Sequence, residues 1–145
     1  MRAVIQRVSE ASVAVEGEIT GHIGPGILVF LGVSHGDGER HAEAMLEKIL
    51  TLRIFPDEAG KMNYSVREAG GGLLVISQFT LLGDCRKGRR PSFDAAAPPA
   101  EARRLYEFFL SKAQASGLPV GAGVFQAHMD VRSCNDGPVT FVLEM

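Results

Sequence analysis

The chain is short of the residues that build covalent or metal-clamped chemistry. It has two cysteines, Cys85 and Cys134. Neither belongs to a CxxC pair or has a companion at ligand spacing, which argues against a disulfide framework and a zinc site. The four histidines, His22, His35, His41 and His128, have no His or carboxylate partner at a spacing that demands a metal. Each reads first as a solvated or core histidine and only second as a catalytic base. No apolar stretch approaches the ~20 residues of a membrane-spanning helix. The opening Met1-Arg2-Ala3-Val4-Ile5-Gln6-Arg7 meets charge too early for a signal peptide. A soluble, cytoplasmic protein with no metal, no cofactor and no membrane partner is the expectation. The formal net charge is −2, so the molecule as a whole has no attraction for nucleic acid. Any RNA contact must come from a local basic patch.

What is present is ordinary globular material, with 46% hydrophobic and 22% charged residues. The length of 145 residues suits one domain with a real core, spanning 1–145. Arg2 to Val15 alternates and is rich in Val and Ala, which predicts a strand. Glu16-Gly17-Glu18 reads as a hairpin turn, with Ile19 to Ile23 pairing back. Gly24-Pro25-Gly26 is a second turn. Ile27 to Val33 is continuously apolar, the signature of a strand buried on both faces. Asp37 is placed to cap a helix from about Glu39 to Leu52, whose Ala42, Met45, Leu46, Ile49 and Leu50 fall at helical spacing. Arg53-Ile54-Phe55 reads as a short strand stopped by Pro56-Asp57. After Gly70-Gly71-Gly72, Leu73 to Leu81 reads as a strand. Gly83 to Pro99 is a long loop of the kind that is functional or mobile in small domains. Pro99 opens a second helix to about Ser116, with Leu105, Phe108, Phe109 and Lys112 or Ala113 as its buried stripe. Gly117 and Pro119 end it. Two strands, near Val124–Val131 and Val139–Met145, close the chain.

Several segments are candidate sites. Gly32-Val33-Ser34-His35-Gly36 fits a nucleophile-elbow pattern, and Ser34, Asp84 or Asp94, and His128 follow in hydrolase order. Against it, the chain is short for that fold and Asp37-Gly38 separates the serine from its helix, so a Gly-rich turn is the plainer reading. Cys85 sits beside cations that could lower its pKa; without a base it reads as an incidental loop cysteine, as does Cys134. Arg86, Lys87, Arg89 and Arg90 put four cations in five residues, with Arg103 and Arg104 on the following helix. They are either phosphate contacts or a solvated face. Aromatic interleaving is absent there apart from Phe93. Gly70-Gly71-Gly72 leads into a strand and lacks the helix N-terminus of a phosphate cradle. Asn135-Asp136-Gly137-Pro138 is first a turn sequence. A trans Gly-Pro bond is the ordinary expectation, since only ~5–6% of X-Pro bonds are cis. Gly137 has no side chain and Pro138 no N–H, so the pair can offer carbonyl oxygens to a ligand with little steric cover.

Two segments then set the direction: Ser77-Gln78-Phe79-Thr80-Leu81 and Asn135-Asp136-Gly137-Pro138-Val139-Thr140-Phe141. Together with Ile5-Gln6-Arg7-Val8, Ala11-Ser12-Val13, Leu31-Gly32-Val33, Arg53-Ile54-Phe55, Gly60-Lys61-Met62-Asn63 and Arg90-Pro91-Ser92-Phe93, they make the chain resemble the D-aminoacyl-tRNA deacylase family along essentially its whole length. The resemblance implies a compact α/β fold, a β-barrel-like mixed sheet with two main helices, and a homodimer with its site at the subunit interface. It implies hydrolysis of the ester that links a D-amino acid to the terminal ribose of tRNA. It also implies a cis Gly137-Pro138 bond projecting into the partner subunit's pocket. Carried over by residue, Ser77, Gln78 and Thr80 become the catalytic positions. Phe79, Met129, Asn135, Gly137, Pro138, Val139 and Thr140 contact substrate, and Arg86, Lys87, Arg89 and Arg90 contact tRNA. No base is visible for Thr80, which leaves it a rival nucleophile only in principle. Three alternatives remain: an editing domain for an L-amino acid such as serine, a non-catalytic nucleic-acid-binding module, and the elbow-type hydrolase.

Overall fold

A computed structural model describes residues 1–145. Its organiser is β1 (Arg2–Val15), which pairs antiparallel with β2 (Glu18–Ile23), β3 (Gly26–Gly32) and β8 (Asp130–Glu144). β3 runs parallel to β6 (Gly72–Ser77), and β6 runs parallel to β7 (Val120–Ala122). The far edges of this sheet nearly meet. A Cβ on Gly21 of β2 would fall 2.7 Å from the Ala122 backbone of β7, so only glycine permits the approach. The outcome is a nearly closed, barrel-like mixed sheet. A separate two-stranded ribbon joins β4 (Phe55–Pro56) to β5 (Met62–Tyr64).

Two helices, α1 (Glu39–Thr51) and α2 (Pro99–Ala115), cover one face. The apolar run of β3 now has its reason. Ile27, Val29 and Leu31 join Met45, Ile49, Leu105 and Phe109 in a core beneath the helices. Leu28 faces the other way, into a second cluster with Val8, Val13, Leu74 and Ile76. A strand buried on both faces has no room for alternation. The helices are also tied at their exposed rim, where Arg104 reaches Glu39 at 2.7 Å and Lys112 reaches Glu43 at 2.9 Å.

Five local expectations are revised. The cap of α1 is Gly38, whose N–H donates to His41 Nδ1 at 3.0 Å. The Asp37 carboxylate turns away, accepting from Ser34 N–H at 2.6 Å and from the Met1 amino group at 2.7 Å. The short strand after α1 begins at Phe55 and includes Pro56, because an edge position asks nothing of the missing N–H. β6 stops at Ser77, and Phe79–Leu82 coil into a 3-10 turn instead of extending the strand. The α2 stripe is Ala102, Leu105, Tyr106, Phe109 and Ala113; Phe108 is half-buried and Lys112 exposed. Finally, β7 is Val120–Ala122, the chain from 123 to 129 is irregular, and β8 is one long strand that carries Asn135–Pro138 within it.

Candidate active site

A cavity of about 710 Å³ opens where β6 ends, bounded by the start of α2 and the segment Phe125–Met129. Thirteen of its twenty lining residues are hydrophobic, so it favours an apolar or aromatic ligand. Polar groups gather at few points: Ser77 and Gln78 at the end of β6, with His35, Gln126 and His128 around them. Tyr106 lines the floor, but its hydroxyl donates to Val75 O at 2.9 Å. Burial pushes that phenol up to about 12, so it stays neutral near pH 7 and its proton is committed.

The sequence turns here for a local reason. The Gln78 N–H still donates to Leu31 O at 2.8 Å, the last tie to the sheet, and the chain then coils at Phe79. The N–H groups of Phe79 and Thr80 find no acceptor within the protein, as the first amides of a helical turn do not. Phe79 is 57% exposed and packs edge-on against Phe93, with ring centroids 4.9 Å apart. Thr80 is exposed and is not part of the cavity lining; its hydroxyl accepts from the Gln78 amide. No histidine or carboxylate bonds that hydroxyl. Ser77, Gln78, Phe79 and Met129 are therefore brought together in the cavity, with Thr80 at its margin.

The second predicted set lies elsewhere. None of Asn135, Gly137, Pro138, Val139 and Thr140 lines the cavity. They form a turn within β8, and the Gly137-Pro138 peptide is cis. Asn135 clamps the turn from inside, donating from Nδ2 to Arg7 O at 2.9 Å and to Val139 O at 3.0 Å. Thr140 Oγ1 donates to Asn135 Oδ1 at 3.4 Å. Arg7 clamps it from outside. Its Nη1 donates to Ile54 O at 2.6 Å while its Nε stands 3.0 Å from Asp136 Oδ2. Arg7 escaped the sequence reading as a site residue. Its signals were its place in the Ile5-Gln6-Arg7-Val8 segment and a charged side chain on a predicted strand, neither of which assigns it a role.

The basic segment is a small hairpin, closed where Asp84 and Ser92 exchange backbone hydrogen bonds at 2.7 and 3.0 Å. Its four cations are not equivalent. Arg86 is spent on Asp84 at 2.6 Å, and its hydrogen bonds hold that carboxyl down at about 2. Lys87, Arg89 and Arg90 are exposed and make no ion pair. On α2, Arg104 is engaged by Glu101 and Glu39.

The elbow is not built. Four residues, His35 to Gly38, separate Ser34 from its helix, and its hydroxyl makes no hydrogen bond. Asp84 is held by Arg86 and Asp94 accepts from the Ser92 hydroxyl, while His128 is almost fully exposed beside Asp130. No group of three or more His, Cys, Asp or Glu side chains is arranged to hold a metal ion. No helix is long and apolar enough to cross a membrane.

Comparison with known proteins adds three findings. The family model described as D-Tyr-tRNA(Tyr) deacylase matches residues 4–144. Proteins named D-aminoacyl-tRNA deacylase match nearly end to end. That of Geobacter metallireducens is 62% identical over 144 residues, covering 99% of this chain and 95% of its own. That of Pelobacter propionicus is 60% identical over 144 residues, covering 99% of both. A solved structure described as c-Myc DNA Unwinding Element Binding Protein superposes with a TM-score of 0.93 at 44% identity, covering 100% of this chain and 99% of that one.

Proposed function

Because this chain belongs to the D-aminoacyl-tRNA deacylase family, we propose that its cavity hydrolyses the ester of D-aminoacyl-tRNA by excluding L side chains, while the RNA supplies part of the chemistry. Deacylation of D-aminoacyl-tRNA is the activity of the family. In this proposal residues 1–145 act as one catalytic domain. The observation that carries it is the end of β6: Ser77, Gln78 and Phe79 line the cavity where two amides are left without acceptors.

An aminoacyl ester is already an activated acyl group. Water adds to its carbonyl carbon, the bond to the ribose oxygen breaks, and free tRNA and amino acid leave. The neighbouring ribose 2′-hydroxyl takes the water's proton and passes one on to the departing 3′ oxygen, which leaves as a hydroxyl. The protein then has to orient the ester and stabilise the oxyanion, which unpaired Phe79 and Thr80 amides can do. Gln78 is spent on ordering the turn through Thr80, and Thr80 supplies no nucleophile because no base can take its proton.

Chirality is sorted by a second region. D and L isomers differ by exchanging hydrogen and side chain at one carbon. A stiff pair of carbonyls at Gly137-Pro138 facing that carbon spares a hydrogen and clashes with an L side chain. This turn lies outside the cavity lining of its own chain, so in this reading a second copy lends the gate. Two features support a homodimer. The outer edge of β8 is unpaired, and Val142 on that strand is 64% exposed. The turn itself is braced by Arg7 and Asn135, as a probe meant for another molecule needs to be. Lys87, Arg89 and Arg90, the three unpaired cations of the hairpin next to Phe93, are assigned to tRNA phosphates. The substrate contacts assigned to Phe79, Met129, Val139 and Thr140 belong to the same reading, and the reaction is carried out where tRNA is charged, in the cytoplasm.

The direct test follows ester loss from matched D- and L-tyrosyl-tRNA. The D ester should disappear at enzyme concentrations that leave the L ester at its spontaneous rate. Equal loss of the two, or preferential loss of the L ester, would assign the cavity to an L-amino-acid editing enzyme.

A further inference from the structure

The walls of the cavity are held unequally. One is the end of the β6 ladder and another is the packed start of α2. The third, Phe125–Met129, lies between β7 and β8 and belongs to neither. Gly123 N–H ties the chain just before it to Val75 O at 3.1 Å, but from 124 to 129 the backbone makes a single hydrogen bond, from Ala127 N–H to Val124 O at 3.2 Å. Gln126 sits at φ +65°, a conformation uncommon outside glycine, asparagine and aspartate. A segment with so little backbone pairing needs side chains to fix it.

Those side chains come from α2. The Phe125 ring is gripped between Tyr106, with centroids 5.8 Å apart, and the Arg103 guanidinium, whose Cζ stands 5.0 Å from the ring centroid. Arg103 Nη2 also donates to Gln126 Oε1 at 3.4 Å. Its only acidic neighbour is Glu107, at 4.0 Å, the outer limit of an ion pair. The guanidinium therefore serves two adjacent residues of the loose wall, one by its face and one by its edge. In sequence Arg103 looked like an extension of the basic patch. In the fold it is turned to the cavity wall.

We propose that Arg103 is a positioning residue: it pins the Phe125–Met129 wall through Phe125 and Gln126 and so sets how tightly the cavity holds its substrate. The inference rests on reading this cavity as the ester site. A planar fork that stacks and bonds at once cannot be copied by a lysine, which carries the same charge on a flexible stem. A wall fixed in advance spares the ordering cost that binding would otherwise meet, so its loss falls on KM more than on kcat.

The experiment compares wild type, Arg103→Ala and Arg103→Lys on D-tyrosyl-tRNA, with hydrogen exchange of the free proteins alongside. Loss of an exposed cation–π contact of this kind corresponds to about two- to fivefold in an equilibrium. KM should rise by that factor in both variants, with kcat within about twofold of wild type. The salt dependence of binding should keep its slope, and amides 124–129 should exchange faster in both variants. Restoration of KM by Arg103→Lys would overturn the clamp and make Arg103 a charge contact. So would a salt slope shallower by about one unit, the mark of a lost phosphate contact. Unchanged exchange at 124–129 would also overturn it. Should wild-type protein leave D-tyrosyl-tRNA intact, the reading of the cavity fails, and the exchange comparison still decides the clamp by itself.

Discussion

Gly137→Ala is expected to cut the preference for D over L esters by at least about tenfold while the chain remains folded. Gly137 sits at φ +123°, a region that residues with a Cβ rarely enter. Strain in such regions costs ~1–3 kcal/mol. A methyl group there would also stand 2.8 Å from Val139 Cγ2 and 2.9 Å from Arg7 Nη2. Arg7 cannot simply step aside, because the same guanidinium holds Ile54 O and Asp136. The turn must therefore re-aim, and the carbonyls proposed to face the substrate move with it. A change of ~1.4 kcal/mol in discrimination is already tenfold. The measurement is kcat/KM on D- and L-tyrosyl-tRNA, with the unfolding midpoint as the check on integrity. D turnover and L rejection that both match wild type would remove the turn from the mechanism.

The second large effect concerns the RNA. D-aminoacyl-tRNA esterified at the 3′ oxygen of a terminal 2′-deoxyribose should be hydrolysed at least about 100-fold more slowly than the natural ester, the lower range of what a positioned proton acceptor contributes. Thr80→Ala should retain most of the wild-type rate on the natural ester. The two outcomes belong together, since each asks who moves the proton. The Thr80 hydroxyl accepts a hydrogen bond from Gln78 and meets no histidine or carboxylate. A deoxy substrate cleaved at full rate, with Thr80→Ala inactive though folded, would return the chemistry to the protein.

Much of the fold was legible because it is written locally. β1, the two helices and the hairpin turn at Glu16-Gly17 follow from alternation, helical spacing and turn chemistry. Three of the misread places share a cause: a partner distant in sequence. Asp37 looks like a helix cap until Met1, at the start of the chain, claims its carboxylate. Leu73–Leu81 reads as one strand until the sheet contact at Leu31 ends and Phe79 coils. β8 reads as the end of a separate strand after a turn, because Gly137-Pro138 punctuates it; only pairing with β1 on both sides of that bulge joins the two halves into one strand.

The site divides in the same way. Ser77-Gln78-Phe79 and the Asn135–Thr140 turn stood out through their residue types and the resemblance they carry. Charge alone could not rank the cations. Arg86 and Lys87 look alike in sequence, and only Asp84 distinguishes them. Arg103 belonged by sequence to the basic patch, and its partner Phe125 lies 22 positions further on. Arg7 gave least warning, since its role comes from partners far along the chain, Ile54 and Asp136.

Glycyl-tRNA is the most direct probe of the account. Glycine carries two hydrogens where the isomers differ, so it gives a rejecting gate nothing to push against. The measurement is ester loss from glycyl-tRNA at an enzyme concentration that clears D-tyrosyl-tRNA and spares L-tyrosyl-tRNA. Cleavage of the glycyl ester is the predicted result. A glycyl ester left intact under those conditions would mean that the enzyme grips a D side chain, and selection by exclusion would be wrong.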